Sequence, residues 1–152
     1  SDYKEHYALH CNDKTRPYCH VPELLAELNK RGYKMAIVSN KLDSAVKELN
    51  QSYFSSYVCT AIGEKEGTRR KPAPDMVEYA LDELHCKKEE AVYIGDSEVD
   101  IQTAANAGLA CISVSWGFRD AEFLRENGAS VIADTPQQVW DLLMPHVHPE
   151  FP

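Results

Sequence analysis

The chain has 152 residues, 43% hydrophobic and 26% charged, which fits one globular domain and excludes a disordered segment. Its 16 Lys and Arg against 24 Asp and Glu give a net charge of −8, which would repel a phosphate backbone and argues against nucleic acid as a partner. No apolar run approaches the ~20 residues of a membrane helix, and the opening SDYKEHYALH lacks the apolar stretch of a secretory signal.

Residues 1–20 are polar and aromatic and lack strand or helix periodicity, so they read as a linker or the tail of another element. Val21, Leu24, Leu25 and Leu28 then repeat at helical spacing, with Pro22 in the first turn and Gly32 as a stop. Met35–Val38 is an apolar run of strand length, and Leu42, Val46 and Leu49 predict a second helix. Tyr57–Ile62 predicts another strand. Asp75 suits the cap of a helix burying Val77, Ala80, Leu81 and Leu84. Ala91–Ile94 is a strand, followed by a helix carrying Val99, Ile101, Ala104 and Ala105 and closed by Gly108. Ala110–Val114 and Ser130–Ala133 are the last strands, with weaker helical patterns over Ala121–Glu126 and Gln137–Met144.

Several of these strands are apolar at nearly every position, which means burial on both faces. Strand and helix alternate through residues 21–145, so the expected fold is α/β, a three-layer Rossmann-like core with a mostly parallel sheet. Residues 146–152 read as a tail. The five cysteines, Cys11, Cys19, Cys59, Cys86 and Cys111, are scattered without a C-x-x-C pair. That pattern fits free thiols in a reducing cytoplasm.

In an open parallel sheet, ligands sit beyond the carboxyl ends of the strands. Three such ends carry polar groups here. Ser39, Asn40 and Lys41 follow the first strand of the alternating series, and offer a hydroxyl and an amide to a phosphate oxygen. Arg69, Arg70 and Lys71 precede Pro72-Ala73-Pro74 in the densest basic cluster of the chain. Gly95-Asp96 ends a strand, and Asp100 lies one helical turn further on, where two carboxylates suit a hard cation such as Mg²⁺. Each group alone has an ordinary explanation as a helix cap or a solvated turn. Together they supply what a dianionic phosphate needs: a cation, a positive side chain and neutral donors.

These residues resemble the motifs of the haloacid-dehalogenase (HAD) superfamily of phosphatases, most closely its phosphoglycolate phosphatase branch. The matching segments are Val38-Ser39-Asn40-Lys41 for the second motif, Arg70-Lys71-Pro72-Ala73-Pro74-Asp75 for the third, and Tyr93–Asp100 for the fourth. Gly108, Trp116-Gly117 and Ala133-Asp134-Thr135 extend the likeness. The resemblance implies a Mg²⁺-dependent phosphomonoester hydrolase acting on a small phosphorylated metabolite. It implies that Ser39 bonds the phosphoryl group, and that Lys71 neutralises it and orients the nucleophile. Asp96 and Asp100 would serve the metal, with Asp100 supporting either that site or Lys71. Asn40 and Lys41 would line the substrate side.

The family's first motif, a strand ending D-x-D-G-T whose first aspartate attacks phosphorus, has no counterpart among these 152 residues. Residues 1–20 resemble the end of the family's cap domain and its return linker. A sheet without that central strand is expected to carry two unpaired inner edges. Three arrangements would resolve this: a strand from a segment outside this chain, direct pairing of the flanking strands, or exchange between two copies.

The alternative function is a catalytically inactive phosphate-binding or interaction module. A phosphoacceptor receiver domain fits poorly, because no early acidic pair ends a strand. His6 with His10, and His146 with His148, read as surface pairs, and Trp116 and Phe118 as aromatics near the pocket or packed on the next helix.

Overall fold

The computed structural model describes residues 2–5, 21–53, 57–58 and 60–143. Six strands and six helices follow in chain order: β1 (Asp2–Glu5), α1 (Val21–Lys30), β2 (Met35–Leu42), α2 (Asp43–Tyr53), β3 (Thr60–Glu64), α3 (Asp75–Leu84), β4 (Ala91–Gly95), α4 (Glu98–Ala107), β5 (Ala110–Val114), α5 (Ala121–Glu126), β6 (Ile132–Ala133) and α6 (Pro136–Leu143). A short 3₁₀ turn at Lys88–Glu90 leads into β4. The strands form one sheet in the order β3-β2-β1-β4-β5-β6, and every neighbouring pair is parallel.

Alternation along β2 shows why the strands read as continuously apolar. Met35 and Ile37 point into one core with Leu24, Leu25 and Leu28 of α1, Val46 of α2, and Val139 and Trp140 of α6. Ala36 and Val38 point into the other, with Met76, Val77, Ala80 and Leu81 of α3 and Ala104 and Ala107 of α4. A strand clothed on both faces has no polar face to display. The expected three-layer α/β core is therefore present.

The centre of the sheet differs from expectation. Between β2 and β4 lies β1, drawn from the segment that reads as a linker. It pairs with β4 at four positions, Asp2↔Ala91 to Glu5↔Ile94, and with β2 at two, Tyr3↔Met35 and Lys4↔Ala36. The flanking strands do not close up on each other. Three of the four β1 residues are charged, so no strand pattern marked it. What recruits this segment is a backbone demand, since two inner strand edges require N–H and C=O partners.

Smaller corrections concern single residues. Leu42 ends β2 and is exposed, so α2 begins after it, with Val46 buried on the helix as expected. The third strand runs Thr60–Glu64 rather than Tyr57–Ile62. Asp75 does not cap α3, because its carboxylate accepts from the backbone and guanidinium of Arg69. Helix α4 buries Asp100, Thr103, Ala104 and Ala107 rather than Ile101 and Ala105. The residue that caps it is Ser97, whose Oγ accepts from the Asp100 N–H. The two histidine pairs and the tail lie outside the described residues.

Candidate active site

Strands β2 and β4 end on the same side of the sheet because all pairs are parallel, so the last residues of β2 and the turn after β4 meet there. An open cleft of about 320 Å³ lies at that edge, lined by Ser39, Asn40, Lys41, Arg70, Lys71, Ser97, Glu98, Val99 and Phe118. Ser39, Asn40, Lys41 and Lys71, read from sequence as one set, are thus brought together. Asp100 and Asp96 do not line the cleft themselves but bond to residues that do, Asp100 to Lys71 and Ser97, and Asp96 to the Phe118 N–H.

The floor is a closed network. Lys71 is 6% exposed, and its Nζ donates to Asp100 Oδ1 at 2.8 Å. Tyr93 OH donates to the same oxygen at 2.7 Å and lies 3.3 Å from Lys71 Nζ. The other oxygen, Asp100 Oδ2, accepts from the Asp96 N–H and from Ser97 Oγ, each at 3.0 Å. Both oxygens of Asp100 are therefore engaged by protein donors. Of the two roles the resemblance offered, the geometry supports the one beside Lys71, and a direct metal contact for Asp100 would break this network.

Asn40 also proves to work on Lys71. Its Oδ1 accepts from the Lys71 N–H at 2.8 Å, and its Nδ2 donates to the Lys71 carbonyl at 3.2 Å. The side-chain amide mimics a neighbouring strand and fixes the main chain that carries the lysine. Asn106 Nδ2 holds the next carbonyl, that of Pro72, at 2.8 Å, and the Lys71–Pro72 peptide is cis. Ser39 is 1% exposed and lines the cleft, and its Oγ accepts from the Lys41 N–H at 3.2 Å. Lys41 stands exposed at the rim.

Asp96 is fully buried. Its Oδ2 accepts from the Phe118 N–H at 3.1 Å, and its carbonyl from the Arg119 N–H at 3.1 Å, so the loop after β5 is tied to the end of β4. Two glycines make this closeness possible. A Cβ on Gly95 would overlap the carboxyl group of Asp100, and one on Gly117 that of Asp96. Burial, then the charge of Asp100, push Asp96 up to about 7, although the Phe118 N–H and Lys71 pull the other way. Burial also pulls the Lys71 ammonium below its usual range, while Asp100 offsets part of that. Tyr93 is held well above its ordinary value by burial and by Asp100.

These residues fit a hard cation in part. Among the described residues no group of three or more His, Cys, Asp or Glu forms a ready metal cage. Mg²⁺ is commonly held by one or two carboxylates, with phosphate oxygens and water completing its shell. A buried carboxylate whose charge is opposed by burial and by a neighbouring acid suits that arrangement.

Sequence reasoning gave four participants no role of their own, although Tyr93, Glu98 and Gly117 lie in segments it named. Tyr93 carried a signal: an aromatic hydroxyl inside an otherwise aliphatic strand must find a partner. Gly117 carried none without the fold. Arg119 and Glu98 form a bidentate pair at 3.1 and 3.2 Å across the loop, which spacing alone does not reveal.

The family model for haloacid dehalogenase-like hydrolases matches residues 1–114. The chain belongs to this family. Among its relatives, the pyrophosphatase PpaX of Listeria monocytogenes is 32% identical over 125 residues, covering 82% of this chain and 58% of that protein. The phosphoglycolate phosphatase of Vibrio parahaemolyticus is 28% identical over 142 residues, covering 93% of this chain and 62% of that protein. A solved candidate phosphoglycolate phosphatase from Lactobacillus delbrueckii subsp. bulgaricus superposes with a TM-score of 0.83 at 42% identity, over 86% of this chain and 54% of its own. The chain thus spans less than two thirds of these relatives. No helix among the described residues is long and apolar enough to cross a membrane.

Proposed function

We propose that this chain supplies the phosphate-binding and metal-binding part of a Mg²⁺-dependent phosphomonoester hydrolase of the phosphoglycolate phosphatase type. The observation that carries this reading is the buried Lys71–Asp100 pair beside a cleft that Lys71 and Ser39 both line, with the buried Asp96 carboxylate bonded to Phe118 of the same lining. The named relatives support the same class.

In this reading Lys71 meets the phosphoryl oxygens and lowers the cost of charge developing there. Asp100 and Tyr93 hold its ammonium in line from below, and Asn40 fixes its backbone. The Ser39 hydroxyl donates to a second phosphoryl oxygen, with Lys41 and Arg70 on the approach. Asp96 would hold Mg²⁺, which would supply Lewis-acid neutralisation of the phosphate. The attacking carboxylate comes from a strand outside these residues, in the sheet position that β1 fills here. Its absence from the 152 residues also favours a second reading, in which this chain binds phosphate without cleaving it.

Assays with phosphoglycolate and p-nitrophenyl phosphate, with Mg²⁺, distinguish the two. The chain alone should give no turnover above background. Adding an N-terminal segment with a D-x-D strand should give turnover that Asp96→Ala abolishes. Turnover by the chain alone, lost in Asp96→Ala, would mean that the nucleophile lies within these residues. A completed protein that binds phosphate yet never turns over would favour the second reading.

A further inference from the structure

The cleft has two unlike halves. The end of β2 and the loop after β3 bring Ser39, Asn40, Lys41, Arg70 and Lys71, a cationic half. The first turn of α4 and the loop after β5 bring Val99 and Phe118, an apolar half, and Glu98, whose charge is matched by Arg119. A phosphoryl group satisfies the first half. The glycolate part of phosphoglycolate has only one methylene, beside a carboxylate, to present to the second.

Phe118 is 62% exposed although it lines the cleft, and it is held in place from several directions. Its backbone N–H is bonded to Asp96 Oδ2. The Arg119 guanidinium lies 4.5 Å from the Phe118 ring centroid and 4.3 Å from that of Phe123, so it stacks with both rings. Glu98 clamps that guanidinium through both carboxylate oxygens. A large apolar ring kept exposed and oriented beside a phosphate site is preorganised to receive a flat group, because little freedom is lost on binding.

We infer that Phe118 is a specificity-determining residue, and that the site favours phosphomonoesters whose alcohol part carries a planar, aromatic ring. The inference rests on the phosphate-site reading and names the leaving group for it. Phenyl phosphate and cyclohexyl phosphate carry the same charge and nearly the same bulk, and differ in the flatness of the ring. With Mg²⁺ present, titration calorimetry on the full 152-residue chain should find phenyl phosphate about fivefold tighter. Phe118→Ala should bring the two ligands to equal affinity, and Phe118→Tyr should keep the preference. Equal affinities in the unmodified chain, or a preference that survives Phe118→Ala, would overturn the inference while leaving the phosphate site standing, provided that inorganic phosphate still binds. Failure of inorganic phosphate to bind at all would overturn both.

Discussion

The floor of the cleft and its rim are built on opposite terms. On the floor, Lys71, Asp100, Tyr93 and Ser97 direct their polar atoms at one another, away from water. At the rim, Lys41, Arg70 and Phe118 face solvent, and the Arg70 guanidinium keeps only a 3.9 Å approach to Glu64. A buried network holds charge at fixed points and is costly to disturb, whereas a solvated rim can change at little cost. In the proposed function, the chemistry would fall to the floor and the choice of substrate to the rim. Substitutions should therefore separate into those that unfold the protein and those that only retune it.

The largest effect is expected from Lys71→Met. It leaves the Asp100 carboxylate buried without its cation, which costs about 3–5 kcal/mol. Urea unfolding should register that loss. The double variant Lys71→Met with Asp100→Asn should recover part of it, since the stranded charge is gone. If Lys71→Met unfolds at the same urea concentration as the parent, the pair is not a buried ion pair.

Asp96 should make stability depend on pH. Its value is about 7 in the folded chain, against 3.8 for the ordinary carboxyl, so the folded state binds the extra proton between those limits. Without metal, stability should fall as pH rises from about 4 to about 7, then level off. Mg²⁺ competes for the deprotonated form, so it should raise the melting temperature more at pH 8 than at pH 5. A Mg²⁺ effect independent of pH, or unchanged in Asp96→Asn, would place the cation elsewhere.

Tyr93→Phe removes one hydrogen bond to Asp100 without opening a cavity, and should cost about 1–2 kcal/mol. The smallest effect is expected at the rim. Arg70→Ala should change stability by no more than about 0.5 kcal/mol while weakening binding of inorganic phosphate in a salt-dependent way. Equal stability losses for Arg70→Ala and Lys71→Met would erase the contrast between rim and floor.

The sequence made the sheet readable wherever both faces are buried, as in Met35–Val38 and Ala91–Ile94, because uninterrupted apolar character has few other causes. It also made the meeting of Ser39, Lys71 and Asp96 readable, since parallel strands put their carboxyl ends on one side. Strand β1 escaped, because backbone pairing rather than side-chain pattern selects it. For Asp100 the resemblance left two roles open. Spacing sets it one turn from Asp96, but only the folded contacts show that its oxygens are taken up by Lys71, Tyr93, Ser97 and the Asp96 N–H. For Asn40, which lines the cleft, only the folded contacts show that its amide also holds the Lys71 backbone.

The account depends on inorganic phosphate and Mg²⁺ meeting above Asp96. Titrating phosphate into the isotopically labelled chain at pH 8, with and without Mg²⁺, and following the amide resonances tests this directly. The predicted result is saturable, Mg²⁺-dependent shifts centred on Ser39, Asn40, Lys71 and Asp96, absent from Asp96→Asn. Shifts confined to the exposed Arg69–Arg70 turn and indifferent to Mg²⁺ would contradict it.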